Sequence, residues 1–139
     1  MQSLFKLQPG AAATVQKVVT EADTALHFGS GALKTMFATP VLVAFVVEAA
    51  VRAVDPKLPD GFVTVSTGFN FKHTAPTLLG LTVTVQAVLE QVQDNRLFFR
   101  FKAYDEVGEI GQGTHERAVV SLKGIMKSAE KRREQLKIT

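Results

Sequence analysis

The sequence predicts an α+β domain in which a five-stranded antiparallel sheet wraps around one long buried helix, with a short helix at the C-terminus. Two observations carry this expectation. Residues 41–54 are apolar nearly all the way round, and a helix without a polar face must be covered on every side. From residue 63 onward, four runs alternate apolar and polar residues between turn signals, the pattern of half-buried strands. A sheet curled over one helix makes a single domain of residues 1–139, of which 123–139 form a basic tail.

Residues 12–20 read as a first strand, and 21–38 as an irregular or partly helical loop broken by Gly29, Ser30 and Gly31. The stretch 29–35 lacks the spacing and Gly-Lys-Thr ending of a phosphate loop. Thr39-Pro40 opens the helix: Thr can cap free N–H groups, and Pro suits the first helical position. Its β-branched content competes for strand, but its length and the Ala49-Ala50 pair decide for helix. Asp55-Pro56 ends it, and 55–61 form a loop. In 63–73, Val63, Val65, Phe69, Phe71 and His73 are expected on one face, with Thr64, Ser66, Asn70 and Lys72 on the other. Runs at 82–90, 96–104 and about 110–122 follow, and the four suit an antiparallel meander. Residues 123–136 read as a charged helix. Such an open sheet leaves an edge and an uncovered area, so a homodimer at least is expected.

With no cysteine among 139 residues, disulfides, thiolate metal sites and a cysteine nucleophile are excluded. His27, His73 and His115 form no close-spaced ligand motif, and no metal or other cofactor is expected. The net charge of +3 is concentrated in the tail. There Lys123, Lys127, Lys131, Arg132, Arg133 and Lys137 outweigh Glu130 and Glu134. A solvated terminal helix explains this better than nucleic-acid or membrane binding, because the core lacks basic-aromatic interleaving. The N-terminus does not read as a secretory leader. The apolar run from Pro40 is broken by Glu48 and Arg52 and is too short for a bilayer. A cytoplasmic location is the expectation.

Several polar residues stand where a plain core would not put them. Thr39 is explained by capping alone, yet a helix start also favours an anion or carbonyl oxygen nearby. Glu48, in the middle of the apolar helix, has Arg52 four residues on, the spacing of a helical ion pair. The other reading of Glu48 is a base or nucleophile with a raised pKa. His73 is either a satisfied core histidine or, before Pro76, a proton-transfer group on a pocket rim. Gly111 and Gly113 interrupt the last strand, as glycines do where a backbone or ligand approaches closely. Arg117 suits a ligand phosphate or a surface carboxylate.

The segments His27-Phe28-Gly29-Ser30-Gly31, Ala38-Thr39-Pro40, Glu48-Ala49-Ala50, Lys72-His73-Thr74-Ala75-Pro76-Thr77 and Gly113-Thr114-His115-Glu116-Arg117 resemble the fluoroacetyl-CoA thioesterase-like family of hotdog proteins over roughly residues 12–125. The resemblance implies a homodimeric hotdog fold that hydrolyses acyl-CoA thioesters without metal, coenzyme A being part of the substrate. It implies a catalytic set of Thr39, Glu48 and His73, with Ser66 (a glycine in the family) and Arg117 as substrate-binding residues. The family's acid stands eight residues after its Thr. Val47 occupies that position here and Glu48 the next, a rotation of about 100° around a helix. The expected function is therefore an acyl-CoA thioester hydrolase for a short or small acyl group. The alternative is a non-catalytic acyl-CoA or small hydrophobic ligand-binding protein, which Val47 favours.

Overall fold

The computed structural model describes residues 6–137. The order is β1 (Ala12–Val18), three short 3-10 turns, α1 (Thr39–Val54), β2 (Phe62–His73), β3 (Thr82–Gln93), β4 (Arg96–Tyr104), β5 (Glu109–Ser121) and α2 (Leu122–Glu134). All pairings are antiparallel, in the order β1-β3-β4-β5-β2. The expected meander thus covers only β3 to β5, and β2 adds to the far side of β5. Its exit hooks over that strand: the Thr74 and Ala75 N–H groups both donate to the Ile110 carbonyl. That turn sends the chain past β5 and β4 to reach β3.

Helix α1 lies in the curl, packed on β1 and β3 and scarcely touching β2. Leu42, Val46, Ala49, Ala50 and Val54 are fully buried against Val15, Val85, Ala87, Leu89 and Phe101. Burying each large side chain contributes about 1.5–3 kcal/mol, which offsets the modest helix propensity of the valines. The helix is not covered all round, however. Val43, Val47 and Val51 are half-buried and Ala44 is exposed, one flank that the chain's own sheet does not reach.

Strand β2 does not keep one alternation. Its register with β5 shifts between Ser66 and Gly68, leaving Thr67 as an extra residue, a β-bulge. Cross-strand partners share a face, so Thr64 and Ser66 join Phe69, Phe71 and His73 on the face that Val119, Arg117, His115, Gly113 and Gly111 present to the helix. Val63 and Val65 pair with Val120 and Ala118 on the opposite face. The simple two-residue alternation expected for 63–73 fails at this bulge. Helix α2, capped by Ser121 Oγ accepting from the Gly124 N–H, buries no residue, as a solvated charged helix should. None of the described helices is long and apolar enough to cross a membrane.

Candidate active site

Helix α1 begins one residue earlier than a Thr39 cap requires. Ala38 is the N-cap, its carbonyl accepting from Val41 and Leu42, while Thr39 is the first helical residue and Pro40 the second. The Thr39 hydroxyl is therefore free of capping. It meets the last residue of β2: Thr39 Oγ1 lies 2.7 Å from His73 Nδ1. Gly111, across the ladder from His73, lets β2 approach β5 closely, so the strand's end is set by backbone contact.

The His73 ring is flanked edge-on by Phe37, at 6.1 Å between centroids. Burial lowers its pKa below the ordinary histidine value, and a backbone bond with Ala75 partly opposes this. The imidazole is therefore neutral near pH 7 and able to take a proton. Its Nε2 is buried and has no hydrogen-bond partner. The pair faces a cleft of about 430 Å³ between the 25–40 segment and the exit of β2, with Phe28, Leu33, Met36 and Pro40 in its walls. Backbone bonds hold those walls: Ala25 N–H donates to Met36 O, Phe37 N–H to Thr77 O and Ala38 N–H to Asp23 O. Thr77 is fully buried and donates to Asp105 Oδ2 at 2.7 Å.

Glu48 stands apart from this pair. It is nine residues beyond Thr39, about 13 Å along the helix axis. One carboxylate oxygen accepts from Lys17 Nζ of β1 at 3.0 Å, and the other pairs with Arg52. The ion-pair reading of Glu48 is the one whose geometry is present, widened to a triad by Lys17. Val47 lies on the half-covered flank.

Ser66 and Arg117 are together, but elsewhere. Arg117, only 3% exposed, donates from Nε to Thr64 Oγ1 at 2.8 Å, from one terminal nitrogen to Thr64 O at 2.8 Å and from the other to Ser66 Oγ at 2.7 Å. That last nitrogen also lies 3.2 Å from His115 Nε2. His115 Nδ1 donates to Gly68 O at 2.9 Å, so Nε2 carries the lone pair that faces Arg117. Burial, opposed by the bond to Gly68 O and helped by the adjacent guanidinium, lowers the His115 pKa to about 4. Asp55 accepts from Thr64 Oγ1 at 2.6 Å and so closes a chain from the end of α1 to the bulge of β2. Seven residues of strand separate Ser66 from His73, about 20 Å, so one chain presents two polar groups rather than one. The stacking of His115 on Phe69, at 3.9 Å, and its lock on Gly68 O were not foreseen. The strand pattern that put His115 on the same face as Arg117 was the available signal. Among the described residues, no group of three or more His, Cys, Asp or Glu side chains is placed to hold a metal ion.

A five-stranded sheet curled on one helix, with a hydroxyl–imidazole pair at the helix start, defines a hotdog-fold protein with a candidate hydrolytic site. The chain belongs to the FlK family, described as fluoroacetyl-CoA-specific thioesterase, whose model matches residues 19–123. It is 48% identical over 87 residues to the fluoroacetyl-CoA thioesterase of Streptantibioticus cattleyicolor. That alignment covers 63% of each chain, less than two thirds of the relative's length. A crystal structure of a point mutant of the fluoroacetyl-CoA-specific thioesterase FlK matches with a TM-score of 0.85 at 37% identity, covering 91% of this chain and 98% of that one. A hot-dog-like protein from Thermanaerovibrio acidaminovorans matches with a TM-score of 0.84 at 31% identity, covering 89% and 91%.

Proposed function

We propose that this protein hydrolyses acyl-CoA thioesters bearing a short or small acyl group, with Thr39 and His73 as the reacting pair. The single observation that carries the reading is the 2.7 Å contact of Thr39 Oγ1 with His73 Nδ1 at the mouth of an apolar-walled cleft. A thioester suits such a pair. Its carbonyl is reactive, its thiolate leaves without strong acid help, and a neutral imidazole needs only to move one proton. The positive end of a 16-residue helix stabilises charge developing on the carbonyl oxygen. In this reading Glu48 ties β1 to α1 and takes no proton. No metal takes part, and coenzyme A enters only with the substrate.

The protein works as a homodimer in this proposal. Strand β2 is a 12-residue sheet edge, and Val43, Val47 and Val51 of α1 are only half-covered. A second copy pairing antiparallel along β2 covers both. With the two-fold axis midway between Ser66 and His73, such pairing brings Ser66 and Arg117 of one copy toward Thr39 and His73 of the other. There they assist substrate binding.

Thiol release from acetyl-, propionyl- and butyryl-CoA by the wild-type chain and by His73→Ala tests the activity. Turnover lost in the variant is expected; equal turnover in both sinks the assignment. The absence of a carboxylate at Val47 favours a second reading, a non-catalytic acyl-CoA binder. That predicts a melting point raised by acyl-CoA with no thiol released.

A further inference from the structure

We infer that Asp55 is a positioning residue for substrate binding: acting through Thr64, it fixes the buried Arg117 guanidinium in the orientation that serves the substrate. The inference rests on the reading that Arg117 and Ser66 assist binding at the other copy's cleft. Arg117 is buried, yet among the described residues none of its hydrogen bonds goes to a carboxylate. A cation taken out of water without an anion is costly. The offsetting charge stands one residue away. Asp55 Oδ1 accepts from the Thr64 hydroxyl at 2.6 Å and Oδ2 from the Thr64 N–H at 3.3 Å. Burial lowers the Arg117 pKa, and the Asp55 charge opposes that. Asp55 is also where a carboxylate is locally unfavourable, as the C-cap of α1 at the negative end of its dipole. Both described bonds of its side chain go to Thr64, so its partner is the strand and not its own helix.

The polarity of the chain follows from counting hydrogens. A hydroxyl has one hydrogen, and Thr64 gives it to Asp55, so Thr64 Oγ1 can only accept from Arg117 Nε. The Thr64 carbonyl accepts from the neighbouring terminal nitrogen. One residue thus holds two corners of the fork, and the third is left facing Ser66 Oγ and His115 Nε2. Ser66 is exposed and accepts there, so its own hydrogen is free to turn toward a ligand. Of the five guanidinium N–H groups, the fifth has no acceptor among the described residues. Two donors, this N–H and the Ser66 O–H, therefore remain for an acceptor oxygen of the substrate. Without the Asp55 charge, the Thr64 hydroxyl is no longer held as an acceptor for Nε, and the fork loses its fixed plane.

The test is KM and kcat of thiol release from acetyl-CoA by the full-length chain. Thr64→Val removes the hydroxyl and Asp55→Asn removes the charge, each with little change of shape. Each is expected to raise KM by ~10-fold with kcat within about threefold. Thr64→Ser restores the hydroxyl and is expected to bring KM back to within about twofold of wild type. Arg117→Lys keeps the charge without the fork and is expected to raise KM as well. In that background Thr64→Val is expected to raise KM no further, because a residue that acts through the fork has nothing left to act on. A wild-type KM in Thr64→Val or Asp55→Asn, even with a lower melting point, overturns the inference. So do KM increases that multiply in the double variant. In both cases thiol release by the wild-type chain leaves the thioesterase reading standing. A wild-type chain that binds acetyl-CoA but releases no thiol removes that reading alone. The calorimetric Kd then replaces KM, with the same outcomes deciding. A wild-type chain that neither binds nor hydrolyses acetyl-CoA removes both.

Discussion

Gly111 of β5 sits across the ladder from His73 of β2, and a β-carbon at Gly111 would stand 2.7 Å from the Lys72 carbonyl oxygen and 3.6 Å from His73 Cα. The close neighbour is backbone, which cannot swing aside as a side-chain tip can. The position of the imidazole is thus tied to the absence of a side chain on the neighbouring strand.

Gly111→Ala is expected to push the end of β2 outward and lengthen the Thr39–His73 contact. Overpacking of this kind costs about 1–3 kcal/mol. Calorimetric melting and kcat measured together check it, and kcat is expected to fall more than the residual stability explains. Unchanged kcat would show that the strand end relaxes without moving the ring.

Glu48→Gln removes the pairs with Lys17 and Arg52. The carboxylate's side chain is 30% exposed and its partners more so, and such pairs contribute about 0–1 kcal/mol. A small loss of stability, shrinking further at high salt, is expected, with thiol release within about twofold of wild type. A loss of 100-fold at unchanged stability would return the carboxylate to the reaction.

The lowered pKa of His73 gives activity a direction with pH. Only the neutral ring accepts a proton, so activity persists to lower pH than a free imidazole allows and falls only below the ordinary histidine range. The acid limb of kcat/KM, measured from pH 4.5 to 8, checks this. A midpoint above 6.5 contradicts the burial of the ring.

His115 makes a separate prediction for stability. Its folded-state pKa of about 4 lies below the unfolded value of 6.5, so the unfolded chain binds the proton first as pH falls. The contribution is full above pH 6.5 and is lost progressively down to about pH 4, on the order of 3 kcal/mol in all. His115→Gln, which keeps a hydrogen-bonding group but does not titrate, is expected to flatten the melting-point curve across that window. Equal slopes in both proteins would mean that the ring titrates normally.

What the sequence made legible was decided by local repetition. An unbroken apolar run has one meaning for a helix, and alternation located the four strands after it and their turns. The placement of β2 beside β5 was not legible, because the two hydrogen bonds that turn the chain over Ile110 leave no mark in composition. The bulge at Thr67 was hidden for a related reason: a period of two carries no sign of an added residue. Thr39 and His73 were readable as one set only through the family resemblance, since by themselves they are two polar residues at the ends of two elements. The sequence showed Val47 where an acid was expected and Arg52 as a partner for Glu48, and the fold adds Lys17 from a distant strand.

The extra residue at Thr67 makes β2 a strand read in two frames. Upstream, even-numbered residues face the helix; downstream, odd-numbered ones do. Deleting Thr67 would merge the two frames into one regular alternation. Thr64 and Ser66 would stay opposite Val119 and Arg117, and His73 opposite Gly111, while the kink and the Thr67 hydroxyl's bond to Glu116 would be lost. The insertion therefore governs the path of the strand and not its faces: a local kink and added twist aim the Ser66 half and the His73 half of the edge differently.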